Sequence, residues 1–177
     1  MDFLDSERVK RLIIGAAKYT AQIKNEVGFN VCKDTKGDFL TTELYHGDKH
    51  RASTNIHADC PKDTEYIANI HTHAPFGIKD KIGAPQSQAR LSIQDVMSIG
   101  SLKQTHCVSQ LVKQSNEVVV KCLTPNTLNA LVEKFYAQFG WERTDENTRK
   151  AIAYVGWKMR SNEEASRKYT TERRFKI

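Results

Sequence analysis

At 177 residues the chain has the length of a single domain, enough to bury a substantial core without a structural metal or a disulfide framework. A composition of 39% hydrophobic and 27% charged residues excludes a repeat or low-complexity polymer, and no apolar run approaches the ~18 residues of a membrane span. Part of the net charge of +6 lies in residues 142–177, with ten Lys or Arg against six Asp or Glu; a solvated helical face explains such a run, and contact with nucleic acid or an acidic protein is the sharper alternative.

Asp5-Ser6-Glu7 reads as a helix start, and Val9, Leu12, Ile13, Ala16, Ala17, Thr20 and Ile23 follow at helical spacing. The period then changes to two, with Val27, Phe29 and Val31 alternating before a polar turn at residues 33–37 and a second strand over 39–45. Residues 46–64 are polar and irregular, with a short strand expected near 55–57. Tyr66 to His71 alternates again as a strand, and residues 74–91 form an 18-residue connector containing Pro75, Gly77, Gly83 and Pro85. A helix is expected over 92–102, strands over 105–113 and 118–123, and a helix from Thr124-Pro125 to Gly140 carrying Leu128, Leu131, Val132, Phe135, Tyr136 and Phe139. A last helix over 144–160 precedes a basic tail, residues 161–177, expected to be mobile. The order predicts one α+β domain: a mixed, mostly antiparallel sheet flanked by helices, with a helical C-terminal extension.

Cys32, Cys60, Cys107 and Cys122 lack Cys-x-x-Cys spacing, so neither a zinc ribbon nor a disulfide scaffold is expected, and Cys32, Cys107 and Cys122 read as small core residues in strands. The first residues show no basic segment followed by an apolar run, which predicts a cytoplasmic protein, or one exported or delivered into a host cell without that kind of signal.

His71 and His73 stand at a strand end with one residue between them, so both imidazoles project to one face and can meet one metal ion. The plainer reading is two internally hydrogen-bonded histidines. Ser92-Ile93-Gln94-Asp95 opens a helix and brings a carboxylate to the same region; alone, it is also a capping box. Glu26, at the start of the strand after the first helix, is the candidate carboxylate for proton transfer, with Gly28 beside it permitting close backbone approach.

Together Glu26, His71-Thr72-His73 and Ser92-x-x-Asp95 resemble the JAMM motif of the JAB/MPN family of zinc metalloproteases. The resemblance covers roughly residues 7–123 and implies a JAB/MPN-like, cytidine-deaminase-like fold. It implies Zn2+ on His71, His73 and Asp95, Glu26 as general acid/base, and Ser92 stabilising the tetrahedral intermediate. It further implies a deubiquitinase-like hydrolase cutting the peptide or isopeptide bond after a ubiquitin-like tail.

The 18-residue connector departs from the short one usual in that family, which makes Asp80 a competing third ligand. The inserted segment reads either as a solvated loop or as a substrate flap, with Phe76 and Gly77 as its apolar contact and hinge. Other His-x-His architectures fit poorly, because amidohydrolase-type barrels need about 250 residues. A Cys60 thiol paired with His57 lacks a third orienting group. The alternative of a different class is a non-catalytic module of the same fold that binds a protein or nucleic acid through its basic C-terminal helices.

Overall fold

The computed structural model describes residues 1–46, 60–73, 91–102 and 104–177, and the statements that follow concern these. After a short turn of 3-10 helix over Asp2–Asp5, the helices are α1 (Glu7–Ile23), α2 (Ile93–Leu102), α3 (Pro125–Phe139), α4 (Asp145–Ser161) and α5 (Glu163–Tyr169). The strands are β1 (Val27–Lys33), β2 (Phe39–Thr41), β3 (Tyr45–His46), β4 (Glu65–Thr72), β5 (Thr105–Val112), β6 (Glu117–Leu123) and β7 (Thr171–Lys176). They form one sheet in the order β2-β1-β4-β5-β6-β7, with β3 also paired to β1. Only the β4–β5 pair is parallel, and α2 lies in that crossover.

Each strand's alternation divides the sheet into two faces. Val27, Phe29 and Val31 of β1, Ala68 and Ile70 of β4, and Val118 and Val120 of β6 bury against Val9, Ile13, Ala16 and Ala17 of α1. The opposite face carries Val108, Val119 and Leu123 beneath Val96 and Ile99 of α2, Leu128, Val132 and Phe135 of α3, and Ala151, Val155 and Met159 of α4. Ser6, Thr124 and Thr144 cap the starts of α1, α3 and α4 with their side chains, as Asn162 does for α5, and Thr124 is followed by proline at the first helical position, as the sequence predicts. α1 and α3 stop where Lys24 and Gly140 turn to positive φ.

The structure corrects three expectations. Residues 163–176 are not a mobile tail: α5 and β7 are formed, and β7 pairs along β6 from Glu117↔Lys176 to Cys122↔Thr171. A charged strand is suited to the edge it occupies, where Lys and Arg discourage further strand addition. The cysteines are bonded, Cys32 to Cys60 and Cys107 to Cys122, rather than free core residues. The β5–β6 register sets Cys107 directly opposite Cys122, which brings their Cα atoms to 4.1 Å. Finally, the strand expected over 39–45 is broken into β2 and β3, because Thr42 turns its hydroxyl to accept the Asn30 N–H at 2.9 Å. The strand expected near 55–57 lies outside the described residues. Among the described residues no helix is long and apolar enough to cross a membrane.

Candidate metal centre

The centre is built where β4 ends against β1, β5 and the start of α2. β4 sends Ala68 and Ile70 to the α1 face, so Asn69, His71 and His73 project from the other. Thr72, between the two histidines, belongs to the α1 side: its hydroxyl bonds Thr20 of α1 and accepts the Val27 N–H at 2.9 Å. That side chain pins the register of β4 on β1, and a slip by one residue would turn both histidines to the wrong face. The backbone N–H of His73 donates to the Ser109 carbonyl of β5 at 2.9 Å, extending the parallel pairing past the last strand residue.

β1 approaches closely because residue 28 is glycine. A Cβ there would lie 3.3 Å from His71 Cβ and 3.0 Å from the Tyr45 ring. Gly28 pairs with His71, so extending the antiparallel register by two residues sets Glu26 across from His73. Glu26 is buried, only 4% exposed. Farther along the same face, Tyr45 O–H and the Asn69 side-chain amide both donate to Asn30 Oδ1, at 2.8 and 2.9 Å, a buried polar network that fixes β1, β3 and β4 together.

The carboxylate comes from α2. Ser92 Oγ accepts the Asp95 N–H at 3.1 Å while Asp95 Oδ2 accepts the Ser92 N–H at 2.7 Å, a reciprocal capping box. The structural and functional readings of Ser92-x-x-Asp95 thus coexist, since the cap locks the carboxylate that faces the histidines. α4 holds α2 in place at short range: a Cβ on Gly156 would stand 3.2 Å from Ile93 Cα.

Asp95 Oδ1 lies 3.3 Å from His71 Nε2, Asp95 Oδ2 lies 3.6 Å from His73 Nε2, and the two Nε2 atoms are 3.2 Å apart. A tetrahedral metal with bonds of ~2.0–2.2 Å separates neighbouring donors by about 3.3–3.6 Å, close to the separations these three groups show through one or the other Asp95 oxygen. All three are buried, and together they can hold a metal ion. Burial pushes His71 down from 6.5 to about 3, with His106 and His73 acting in the same direction against the pull of Asp95. Burial alone would raise the Asp95 carboxyl, but His71, the hydrogen bond with His73 and His106 hold it well below the usual carboxylate range. The favoured charge state is therefore an ionised carboxylate beside a neutral imidazole at His71. Among the described residues the ion-pair partners of Asp95 are His71, His73 and His106, with no lysine or arginine.

The structure brings His71, His73, Ser92 and Asp95 together and sets Glu26 just ahead of β1, the adjoining strand. Phe76, Gly77 and the competing Asp80 lie outside the described residues. Cys60, bonded to Cys32, is not a thiol nucleophile. Sequence reasoning missed His106, which is 4% exposed on β5 with Nε2 2.9 Å from His71 Nδ1. Its signal was its place in a predicted strand, but only the parallel register Asn69↔His106 brings it to this face. No family model, curated protein or solved structure matches the chain.

Proposed function

We propose that the chain is a zinc-dependent amide hydrolase of JAB/JAMM type that cuts the peptide or isopeptide bond following a ubiquitin-like tail. The observation that carries this reading is the buried Asp95 carboxylate with two imidazole nitrogens at 3.3 and 3.6 Å and no protein cation to balance it among the described residues. An ionised group in that setting costs several kcal/mol, roughly, unless a counter-ion is present, and a cation on His71, His73 and Asp95 supplies one. Two imidazoles and a carboxylate are a donor set that suits zinc and leaves a fourth position open. When bound, the metal polarises an amide carbonyl and lowers the pKa of water.

The remaining steps belong to the chain's own groups. Glu26, buried just ahead of β1 and across from His73, takes a proton from the attacking water and delivers it to the leaving nitrogen. Ser92 Oγ accepts the Asp95 N–H and keeps its own hydrogen for the oxyanion that develops on the substrate. The ordered set of five residues and the α+β sheet support the JAB/MPN-like assignment; the ubiquitin-like substrate rests on that resemblance. The test is hydrolysis of linear fusions and isopeptide-linked ubiquitin-like proteins. Activity that chelator abolishes and zinc restores is expected, and cleavage that is indifferent to chelator would overturn the mechanism.

A second reading, a non-catalytic binding module of the same fold, draws on a surface of α3 and α4. Phe139, Trp141, Tyr154 and Trp157 are exposed there, and Lys134 and Lys158 border an adjoining groove lined by Phe135 and Tyr154. Rings interleaved with cations suit single-stranded nucleic acid. Oligonucleotide affinity that falls steeply with salt, together with no hydrolysis, would favour it.

A further inference from the structure

We infer that His106 is a positioning residue: it accepts a hydrogen bond from His71 Nδ1–H and so fixes the ring orientation and tautomer in which His71 binds a metal. The inference rests on the reading of this centre as a metal site and assigns a role to a residue outside the motif. Its starting point is direction. His71 Nε2 is the nitrogen that faces His73 Nε2 at 3.2 Å and Asp95 Oδ1 at 3.3 Å, so a metal held by these groups takes His71 through Nε2. A neutral imidazole that gives its Nε2 lone pair to a metal carries its single hydrogen on Nδ1.

Among the described residues, that hydrogen has one partner in reach. His106 Nε2 lies 2.9 Å from His71 Nδ1, with the two ring centroids 4.9 Å apart at 67°. For the bond to form, His106 Nε2 has to be the acceptor, which makes His106 a neutral ring with its own hydrogen on Nδ1. A protonated His106 would oppose one N–H to another. His106 is not a fourth ligand in this arrangement, because its Nε2 is engaged by His71 Nδ1. The two proposed ligand histidines therefore differ: His71 has its remote nitrogen fixed from β5, whereas His73 Nδ1 is buried without a hydrogen-bond partner among the described residues. Partners of this kind orient metal-bound imidazoles and raise their basicity, and losing one lowers affinity by about 10- to 100-fold.

The test combines zinc affinity, measured by competition with a chromogenic chelator, and 15N NMR of the histidine rings in the zinc-loaded protein. In the wild type the signals should show hydrogen on Nδ1 of both His71 and His106. His106→Leu, which keeps an apolar ring-sized filler and removes the acceptor, should weaken zinc by about 10- to 100-fold. His106→Gln, whose amide oxygen can occupy the acceptor position, should recover most of that loss. Thermal denaturation of both variants reports whether they fold, and equal weakening by Leu and Gln would mean a merely structural role. Hydrogen on His106 Nε2 in the loaded protein, or unchanged affinity in His106→Leu, would overturn the inference while leaving the metal site intact. A wild type that takes up no zinc would overturn both.

Discussion

The two faces of β1 and β4 carry different chemistries on one backbone. Toward α1, Val27, Phe29, Val31, Ala68 and Ile70 form part of an apolar core, where area removed from water and close packing set the energy. Toward the other side stand Gly28, Asn30, Asn69 and His71, with Glu26 just ahead of β1 and His73 just beyond β4. Since neighbours in sequence belong to opposite faces, the devices that hold register protect the site at least as much as they protect the core. Thr72, bonded to Thr20 and Val27, is the clearest of these.

That contrast can be broken at single positions. On the polar face, Glu26→Gln should lower turnover by about 10²- to 10⁴-fold while metal content stays at the wild-type level, measured by steady-state kinetics alongside elemental analysis; an active variant would mean that Glu26 has no role in proton transfer. On the apolar face, Phe29→Ala should cost about 3–5 kcal/mol in urea denaturation yet leave zinc affinity of the folded protein within about twofold. Its neighbour Gly28→Val should do the reverse, weakening zinc more than it weakens folding, because the added carbons press on His71 and Tyr45. If both substitutions affect stability and affinity in the same proportion, the two faces are not independent.

The disulfides lie outside this contrast and set its baseline. Closing loops with sequence separations of 15 and 28 residues stabilises by about 3 and about 3.6 kcal/mol in the chain-entropy picture. Reduction should lower the urea midpoint accordingly, and thiol titration of the denatured, unreduced protein should find no free thiol. The smallest effect is expected from a single unit of pH. Sign follows from His71, whose folded pKa is depressed: above 6.5 both states leave it neutral, and between 6.5 and about 3 only the unfolded chain takes the proton. The metal-free protein should therefore lose stability on acidification, by about 1.4 kcal/mol per pH unit for this histidine. Asp95, also depressed, adds a loss of the same sign at lower pH. His71→Asn should flatten the slope between pH 6.5 and 5, and an unchanged slope would show that burial does not hold His71 neutral.

Much of the fold is legible in local patterns. The α1 stripe from Val9 to Ile23, the Thr124-Pro125 start of α3 and the alternation of β4 each arise from interactions within one element, so sequence spacing reports them. The proposed ligands are legible for a similar reason: His71 and His73 share a face by strand geometry, and Asp95 is held by its own helix cap. What sequence did not disclose depends on pairing between distant elements. His106 reads as an ordinary strand residue until β5 is laid parallel to β4, and β7 reads as a charged tail until it is seen along the edge of β6. The Cys107–Cys122 bond was closer to reach, because pairing the two strands expected over 105–113 and 118–123 as an antiparallel hairpin sets those positions nearly opposite.

The central claim is that His71, His73 and Asp95 are one metal site. Its most direct test is elemental analysis of the protein purified without chelator and equilibrated with zinc, run beside His71→Ala and Asp95→Ala. About one equivalent of zinc per wild-type chain, with little or none in either variant, is the predicted result. A wild-type protein that remains metal-free, or variants that bind as much zinc as the wild type, would contradict it.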